Sequence, residues 1–389
     1  MSATRDGLAD GAAGTELSDF RAALRRWLEE EQSELQPYRA LTPDLDEQFA
    51  LFRGFSARLY AAGWVRRGWQ EEFGGLGGSG LYRGVLAEEL AMAGYPLHNF
   101  HGLKEVLGPA VARFGPNIAS WALPRLLSTD DVWCQGFSEP EAGSDLGSLR
   151  LRAESAGDHW RVNGQKVWTS GARYANRCVL LARTGTREEA HRGITALFVD
   201  MDAPGIAVRD LRAMNGDSEF GELFFDDVLV PKDRTIGRVG DGWALAMYVL
   251  SSERGAWAWE RQAWLHRRFR ELLERNDADP RATSFAGDTF ALLYAMRLVS
   301  RRSIYCLARG EEPGAASSVD KVLMASTEQA IFDGYLELFP HAALLDDDRQ
   351  SDAWRSEFLY SRAASIYGGT GEIQRNLIAE RLVGLPREE

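Results

Sequence analysis

Ser365-Ile366-Tyr367-Gly368-Gly369-Thr370-Gly371-Glu372-Ile373-Gln374-Arg375-Asn376 interrupts the chain's last helical stretch with a glycine-rich turn. Glycines at 368, 369 and 371 make the turn flexible, and Thr370 stands where a helix N-cap belongs. Backbone N–H groups and a hydroxyl therefore gather at a helix start, a geometry suited to a diphosphate or another polar cofactor group. Reading backwards from the turn, helical periodicity covers four long stretches, about 244–276, 281–310, 317–339 and 354–382. Four helices of that length predict a bundle.

Upstream, between about 132 and 231, the pattern changes to strands. Trp160-Arg161-Val162, Asn163-Gly164 and Gln165-Lys166-Val167-Trp168 predict a β-hairpin with a type I′ turn at Asn163-Gly164. Further strands are expected at 178–183, 194–200, 205–210 and 222–230, a spacing that suggests an antiparallel barrel or sandwich. From 17 to about 125 the helical period returns, carried by Leu24, Trp27 and Leu28, then Phe49, Phe52 and Phe55, then Leu86, Leu90 and Ala91. The break at 74–80 contains G-x-G-x-x-G, but no strand precedes it, so it reads as a surface loop and not as a dinucleotide loop.

A chain of 389 residues is too long for one small core. Its net charge of −12 argues against broad nucleic-acid or anionic-membrane binding, while leaving local arginines free to hold a phosphorylated ligand. No apolar run has the length of a membrane span, and the first residues lack the pattern of a signal peptide, so a cytoplasmic location is expected. Three scattered cysteines indicate no disulfide framework, and the six histidines show no metal-binding spacing. Ser318-Val319-Asp320-Lys321 mimics the S-x-x-K of penicillin-recognising enzymes, but their companion motifs are missing and the segment reads as plain helix.

Two further segments join the C-terminal turn: Gln135-Gly136-Phe137-Ser138-Glu139-Pro140-Glu141-Ala142-Gly143-Ser144-Asp145 and Asn163-Gly164-Gln165-Lys166-Val167-Trp168-Thr169-Ser170-Gly171. In this order and at this separation they resemble the acyl-CoA dehydrogenase superfamily, from about Trp64 to Pro386. The resemblance implies an α+β, mostly α fold. A disordered lead-in (1–16) precedes an N-terminal helical domain (17–130), a central antiparallel β-barrel (131–238) and a C-terminal four-helix bundle (239–389). It also implies FAD, held by Gln135, Phe137, Ser138, Gly143, Ser144, Trp168, Thr169, Ser170, Gly369, Thr370 and Glu372, with Ser144 also facing the substrate. Trp168 alone would more often be a core anchor; three motifs in register favour a flavin contact.

The reaction so implied removes an α-proton from an acyl thioester on CoA or a carrier protein, while a hydride leaves the β-carbon for the flavin. A carboxylate in a dry pocket must take the proton. Many members carry that Glu between the Tyr and Gly of the C-terminal turn, where this chain has Gly368. Ser251-Ser252-Glu253-Arg254-Gly255 matches the position from which isovaleryl- and long-chain-type members supply theirs, which makes Glu253 the expected base. Arg254 and Gly368 are then expected on the substrate side. Trp257, Trp259 and Trp264 follow on the same helix, as pocket walls or as core. The resemblance further implies a homo-oligomer, tetramer or dimer, and an electron-transfer flavoprotein as acceptor. The usual Arg-x-x-Phe-Gly segment that reaches a neighbouring subunit's FAD is missing, as is a Gly-Gly pair where Leu338-Phe339-Pro340-His341 stands. Two other readings share the fold: a flavin oxidase or monooxygenase, and a non-catalytic subunit of a heteromeric dehydrogenase.

Overall fold

Helical periodicity is realised over most of the chain in a computed structural model that describes residues 12–40, 42, 44–96, 99–275, 280–345 and 348–386. The N-terminal helices are α1 (Ala12–Glu30), α2 (Gln32–Leu35), α3 (Leu45–Ala61), α4 (Leu81–Ala93), α5 (Asn99–Phe114) and α6 (Pro116–Ser128). The C-terminal ones are α7 (Gly242–Glu274), α8 (Pro280–Ala308), α9 (Ser317–Leu338), α10 (Pro340–Leu344), α11 (Arg349–Ser361) and α12 (Gly371–Leu377). Between them lie β1 (Trp133–Gly136), β2 (Arg152–Ala156), β3 (His159–Ser170), β4 (Arg177–Arg183), β5 (Ile194–Asp200), β6 (Ile206–Leu211), β7 (Phe220–Pro231) and β8 (Thr235–Ile236). The chain divides into two compact units. One joins α1–α4 to the chain from Ser251 onward; the other joins α5 and α6 to the strands and ends at Leu250. No described helix is long and apolar enough to cross a membrane.

In the all-helical unit, α1 begins at Ala12, so residues 12–16 of the expected lead-in are helical; residues 1–11 lie outside the described residues. Leu24, Leu28, Phe55, Leu59, Leu86 and Leu90 close one core among α1, α3 and α4. Glu88 and Glu89 of α4 are buried, and a buried carboxylate is tolerated only when paired. Arg21 of α1 meets Glu88 at 2.7 Å, Arg25 meets Glu89 at 2.5 Å, and Arg297 of α8 meets Glu88 at 2.6 Å. These ion pairs tie α1 and α8 to α4. A second core runs through Leu265, Leu272, Met296, Ile331, Phe332, Tyr335 and Trp354 of α7, α8, α9 and α11. There Arg261 of α7 bridges Glu328 of α9 at 2.9 Å and Glu357 of α11 at 2.7 Å.

The last predicted stretch is interrupted at the glycine-rich turn, as expected. Its first helix ends at Ser361, and the chain passes through a tight turn (Arg362–Ser365) and the glycines, restarts as α12, and widens over Ile378–Val383 before Gly384 stops it at φ +83°. Residues 346 and 347, between α10 and α11, lie outside the described residues. Asp348 caps α11, its carboxylate accepting from Gln350 N and Ser351 N.

In the other unit the strands form one sheet, β6-β7-β3-β2-β4-β5-β8, with β1 beside β4. The expected purely antiparallel barrel is corrected on two counts. The sheet is mixed, since β1 and β2 both run parallel to β4, and it is open, since β6 and β8 lie at opposite ends of the order. The long Phe137–Leu151 connection carries the chain back to its starting direction, so β2 cannot be a hairpin partner of β1. The predicted hairpin is also corrected. β3 runs straight through Asn163-Gly164, and the reversal lies at Gly157-Asp158, where Gly157 has φ +62°. Gly164 is needed for close approach, because a Cβ there would lie 2.9 Å from Leu151 Cα. Asn163 meets Asp227 across a bulge, donating through Nδ2 at 3.0 Å and accepting from Asp227 N at 2.8 Å.

Asp320 of α9 is fully buried, accepts a hydrogen bond from Ser303 of α8, and is pushed up to about 7 by burial. With a folded-state pKa above the unfolded one, its contribution to stability is intact below about pH 4 and is lost as pH rises through 7. Asp320→Asn keeps an acceptor for Ser303. It is expected to match the native protein in urea midpoint near pH 4.5 and to exceed it at pH 8.5, with a flatter stability–pH curve.

Candidate active site

In the sheet-containing unit the first motif is shaped by a buried ion pair. β1 ends at Gly136, where a Cβ would lie 2.9 Å from both Cys178 Sγ and Leu180 Cδ1. Phe137 turns its ring into the core, and Ser138 O accepts from Val167 N at 2.9 Å. Glu139 and Ala142 exchange backbone hydrogen bonds of 3.1 and 3.0 Å, which makes Pro140-Glu141 the tip of a tight turn. Lys166 of β3 is fully buried beneath it and donates to Phe137 O at 3.0 Å and Glu139 Oε1 at 2.8 Å. Burial lowers the Lys166 pKa, with Glu139 opposing the shift. Glu139 also accepts from Arg150 N at 2.6 Å and Leu151 N at 2.9 Å, so both ends of the loop are fixed. Gln135 lies half-buried on β1, while Gly143 and Ser144 follow the turn exposed, with nothing within 4 Å of a Cβ at 143.

The second motif bends where the register between β3 and β7 slips, from Lys166 to Thr169. Trp168 sits at φ +57°, an unfavourable conformation for a bulky residue. Its indole is 61% exposed, touching Phe220 edge-on at 5.9 Å, so it is not a core anchor. Thr169 is buried, and its hydroxyl finds no hydrogen-bond partner in the protein. Ser170 is half-buried opposite Phe220. An aromatic face held outward by strain, an orphaned buried hydroxyl and an open glycine turn fit a planar, heteroatom-rich ring such as a flavin.

In the helical unit the C-terminal turn and α7 meet. Gly368 and Gly369 have φ +63° and +95°, values that glycine adopts without strain. Gly368 O accepts from Arg254 Nε at 3.2 Å and from Gln374 Nε2 at 3.1 Å. Thr370 caps α12 as expected, accepting from Ile373 N at 3.4 Å. Exposed Glu372 is held below the usual carboxylate range by its own backbone N–H and by Thr370. A Cβ built on Gly368 would lie 3.6 Å from Glu253 Oε1 and 3.5 Å from Lys321 Cε. The carboxylate therefore borders the space that a side chain at 368 would enter. Burial lowers the Arg254 pKa, Glu253 raises it, and Arg381 lowers it further. Of the three tryptophans, Trp259 is core and donates to Gly84 O at 2.9 Å, while Trp264 is buried and donates to Glu357 at 3.3 Å. Trp257 packs edge-on against Tyr367 at 5.9 Å.

The expected residues thus form two groups, one in each unit: Gln135–Ser144 with Trp168–Ser170, and Glu253, Arg254 and Gly368–Glu372. Sequence reasoning missed the supports, Lys166 with Glu139 and Lys321 with Tyr367. The sequence carried no signal for them beyond the scarcity of lysine, four in the chain, of which the structure buries three.

A mostly helical chain with a central mixed sheet, an exposed aromatic face beside an unpartnered buried hydroxyl, and a carboxylate beside a glycine turn fits a flavin-dependent dehydrogenase. The chain belongs to the acyl-CoA dehydrogenase family. It matches that family's N-terminal domain over residues 14–129, its middle domain over 134–228 and its C-terminal domain over 240–383. It is 38% identical over 384 residues to "Acyl-CoA dehydrogenase IpdE1" of Mycobacterium tuberculosis, covering 96% of this chain and 99% of the relative. The "Tcur3481-Tcur3483 steroid ACAD" structure superposes with a TM-score of 0.82 at 25% identity, covering 98% of this chain and all of that one. The "ChsE4-ChsE5 complex" from Mycobacterium tuberculosis gives 0.77 at 28%, covering 93% and 98%.

Lys166→Met leaves the Glu139 carboxylate buried without its cation and is expected to cost about 3–5 kcal/mol of stability. Lys166→Met/Glu139→Gln is expected to recover most of that loss, as measured by urea unfolding.

Proposed function

We propose that this acyl-CoA dehydrogenase removes the α-proton of its acyl thioester with Glu253, and that Gly368 marks a base supplied from α7. The observation that carries the reading is the 3.6 Å between Glu253 Oε1 and a Cβ built on Gly368. A carboxylate from α7 and one from position 368 would serve overlapping space, which is what a relocated base requires. The thioester carbonyl acidifies the α-carbon, Glu253 takes the proton, the β-carbon loses a hydride and the Cα–Cβ bond becomes double. FAD, when bound, supplies the hydride acceptor. Trp168, Thr169, Ser170 and Gln135, Phe137, Ser138, Gly143 and Ser144 would hold its ring side, and Gly369, Thr370 and Glu372 its polar part. Arg254, donating to Gly368 O, keeps the turn beside the base in one conformation. The acyl group is carried on CoA, and an electron-transfer flavoprotein reoxidises the flavin. By analogy with the named steroid enzyme, a bulky acyl group is the first to test.

A second reading concerns assembly: the chain is one subunit of a heteromeric dehydrogenase, with its partner completing the enzyme. Two structurally similar proteins carry paired names, Tcur3481-Tcur3483 and ChsE4-ChsE5. The apolar stripe Phe290, Tyr294 and Leu298 on α8, each more than two-fifths exposed, supports contact with another subunit, of this chain or a different one. Expressed alone, a self-sufficient homo-oligomer is expected to purify yellow with one FAD per chain and as a dimer or tetramer by light scattering. Flavin binding only after co-expression with a partner would select the heteromer.

Glu253→Gln is expected to slow flavin reduction by substrate ~10²–10⁴-fold in anaerobic stopped-flow traces while leaving FAD content unchanged. Reduction at the native rate would remove Glu253 from the mechanism.

A further inference from the structure

Lys321 is one of only four lysines in the chain and is almost wholly buried on α9. Its ammonium donates to Ala364 O, in the turn that leads to Gly368, and lies 4.0 Å from the centroid of the Tyr367 ring. These contacts fix the cation from two sides. Its Cε and Glu253 Oε1 both come within van der Waals reach of the same point, the space beside Gly368 that no side chain fills. The charged and titratable groups facing Lys321 are Glu253 and Arg254 of α7, Glu328 of its own helix, already bridged to Arg261, and Tyr367 of the turn.

We propose that Lys321 is a positioning residue for the base: its ammonium keeps the Glu253 carboxylate ionised and directed at the space beside Gly368 before a thioester arrives. The proposal rests on Glu253 being the base. A carboxyl group sheltered from water tends to stay protonated, and a protonated carboxyl cannot accept the α-proton. A fixed cation nearby offsets that tendency. Burial brings Lys321 down to about 8, with Glu328 and Glu253 holding it up and Arg254 pushing it down, so the ammonium is present at neutral pH. Glycine at 368 is part of the device, because a larger side chain would press on both Lys321 Cε and Glu253 Oε1.

The coupling is reciprocal: if Lys321 favours the ionised Glu253, Glu253 must favour the charged Lys321 by the same factor. FAD-loaded protein labelled with ¹³C at lysine Cε should give four lysine signals, and the one lost in Lys321→Arg belongs to Lys321. In Glu253→Gln, the Lys321 titration midpoint is expected to fall by about one pH unit, while Lys104, Lys166 and Lys232 stay where they were. Glu253→Asp, which keeps the charge, is expected to restore it. Glu253→Ala serves in place of Glu253→Gln should that variant fold poorly. A Lys321 midpoint that is the same with and without the Glu253 charge overturns the proposal. The base reading is judged separately on the same proteins. Slowed flavin reduction with an unmoved Lys321 sinks only the coupling, whereas a moved Lys321 with native flavin reduction sinks the base and with it the role proposed here.

Discussion

An ionised side chain taken out of water costs several kcal/mol unless an opposite charge or a set of hydrogen bonds meets it, and this constraint organises both units. Lys166 lies under the Ser138–Ser144 turn with no exposure at all and donates to Phe137 O and to Glu139, whose carboxylate also accepts from two backbone N–H groups. Glu88 and Glu89 are answered by arginines from α1 and α8, and Glu328 by Arg261 of α7. Each pair joins elements far apart in sequence. Breaking one leaves a buried charge, so the segments it holds must move together or not at all. The turns that bear on the chemistry inherit that rigidity.

One of these pairs lies at a turn of the candidate site, and further charged groups hold the other turn. The Lys166–Glu139 pair fixes the chain two residues before Trp168, whose positive φ and exposure would not persist on a loosely held strand. On the helical side, Arg254 and Gln374 both donate to Gly368 O, and Lys321 donates to Ala364 O only four residues earlier. Two carbonyls of the turn are thereby held, and among the described residues the carboxylate bordering the side-chain space at 368 is that of Glu253. Function in this account follows from what glycine omits. Without a side chain at 368, the carboxylate arriving from α7 and the cation arriving from α9 share one small volume.

Much of the architecture was legible in the sequence. Helical periodicity located α7, α8 and α9 to within a few residues, and Ile194–Asp200 was read in full. Thr370 was recognised as a cap from its place before an amphipathic run. The failures have physical causes. Asn163-Gly164 has the composition of a type I′ turn, but there the glycine admits Leu151 and the asparagine pairs with Asp227, both contacts made by distant chain. Strand spacing alone carries no information on direction, so the return through Phe137–Leu151 that makes the sheet mixed could not be read. Lys166 and Lys321 escaped notice because burial of a lysine is decided by its tertiary partners. The resemblance pointed to Glu253 and implied that it lies near position 368; the 3.6 Å between its Oε1 and a Cβ at 368 required coordinates.

The central claim is that Glu253 takes the α-proton of the bound acyl thioester. A crystal structure of the FAD-loaded protein with a non-oxidisable 3-thia-acyl-CoA tests this directly. The account predicts a Glu253 carboxylate oxygen within about 3.5 Å of the α-carbon, on the face opposite the flavin ring. A Glu253 turned away from the ligand, with another carboxylate from this chain or a partner subunit in that place, would contradict it.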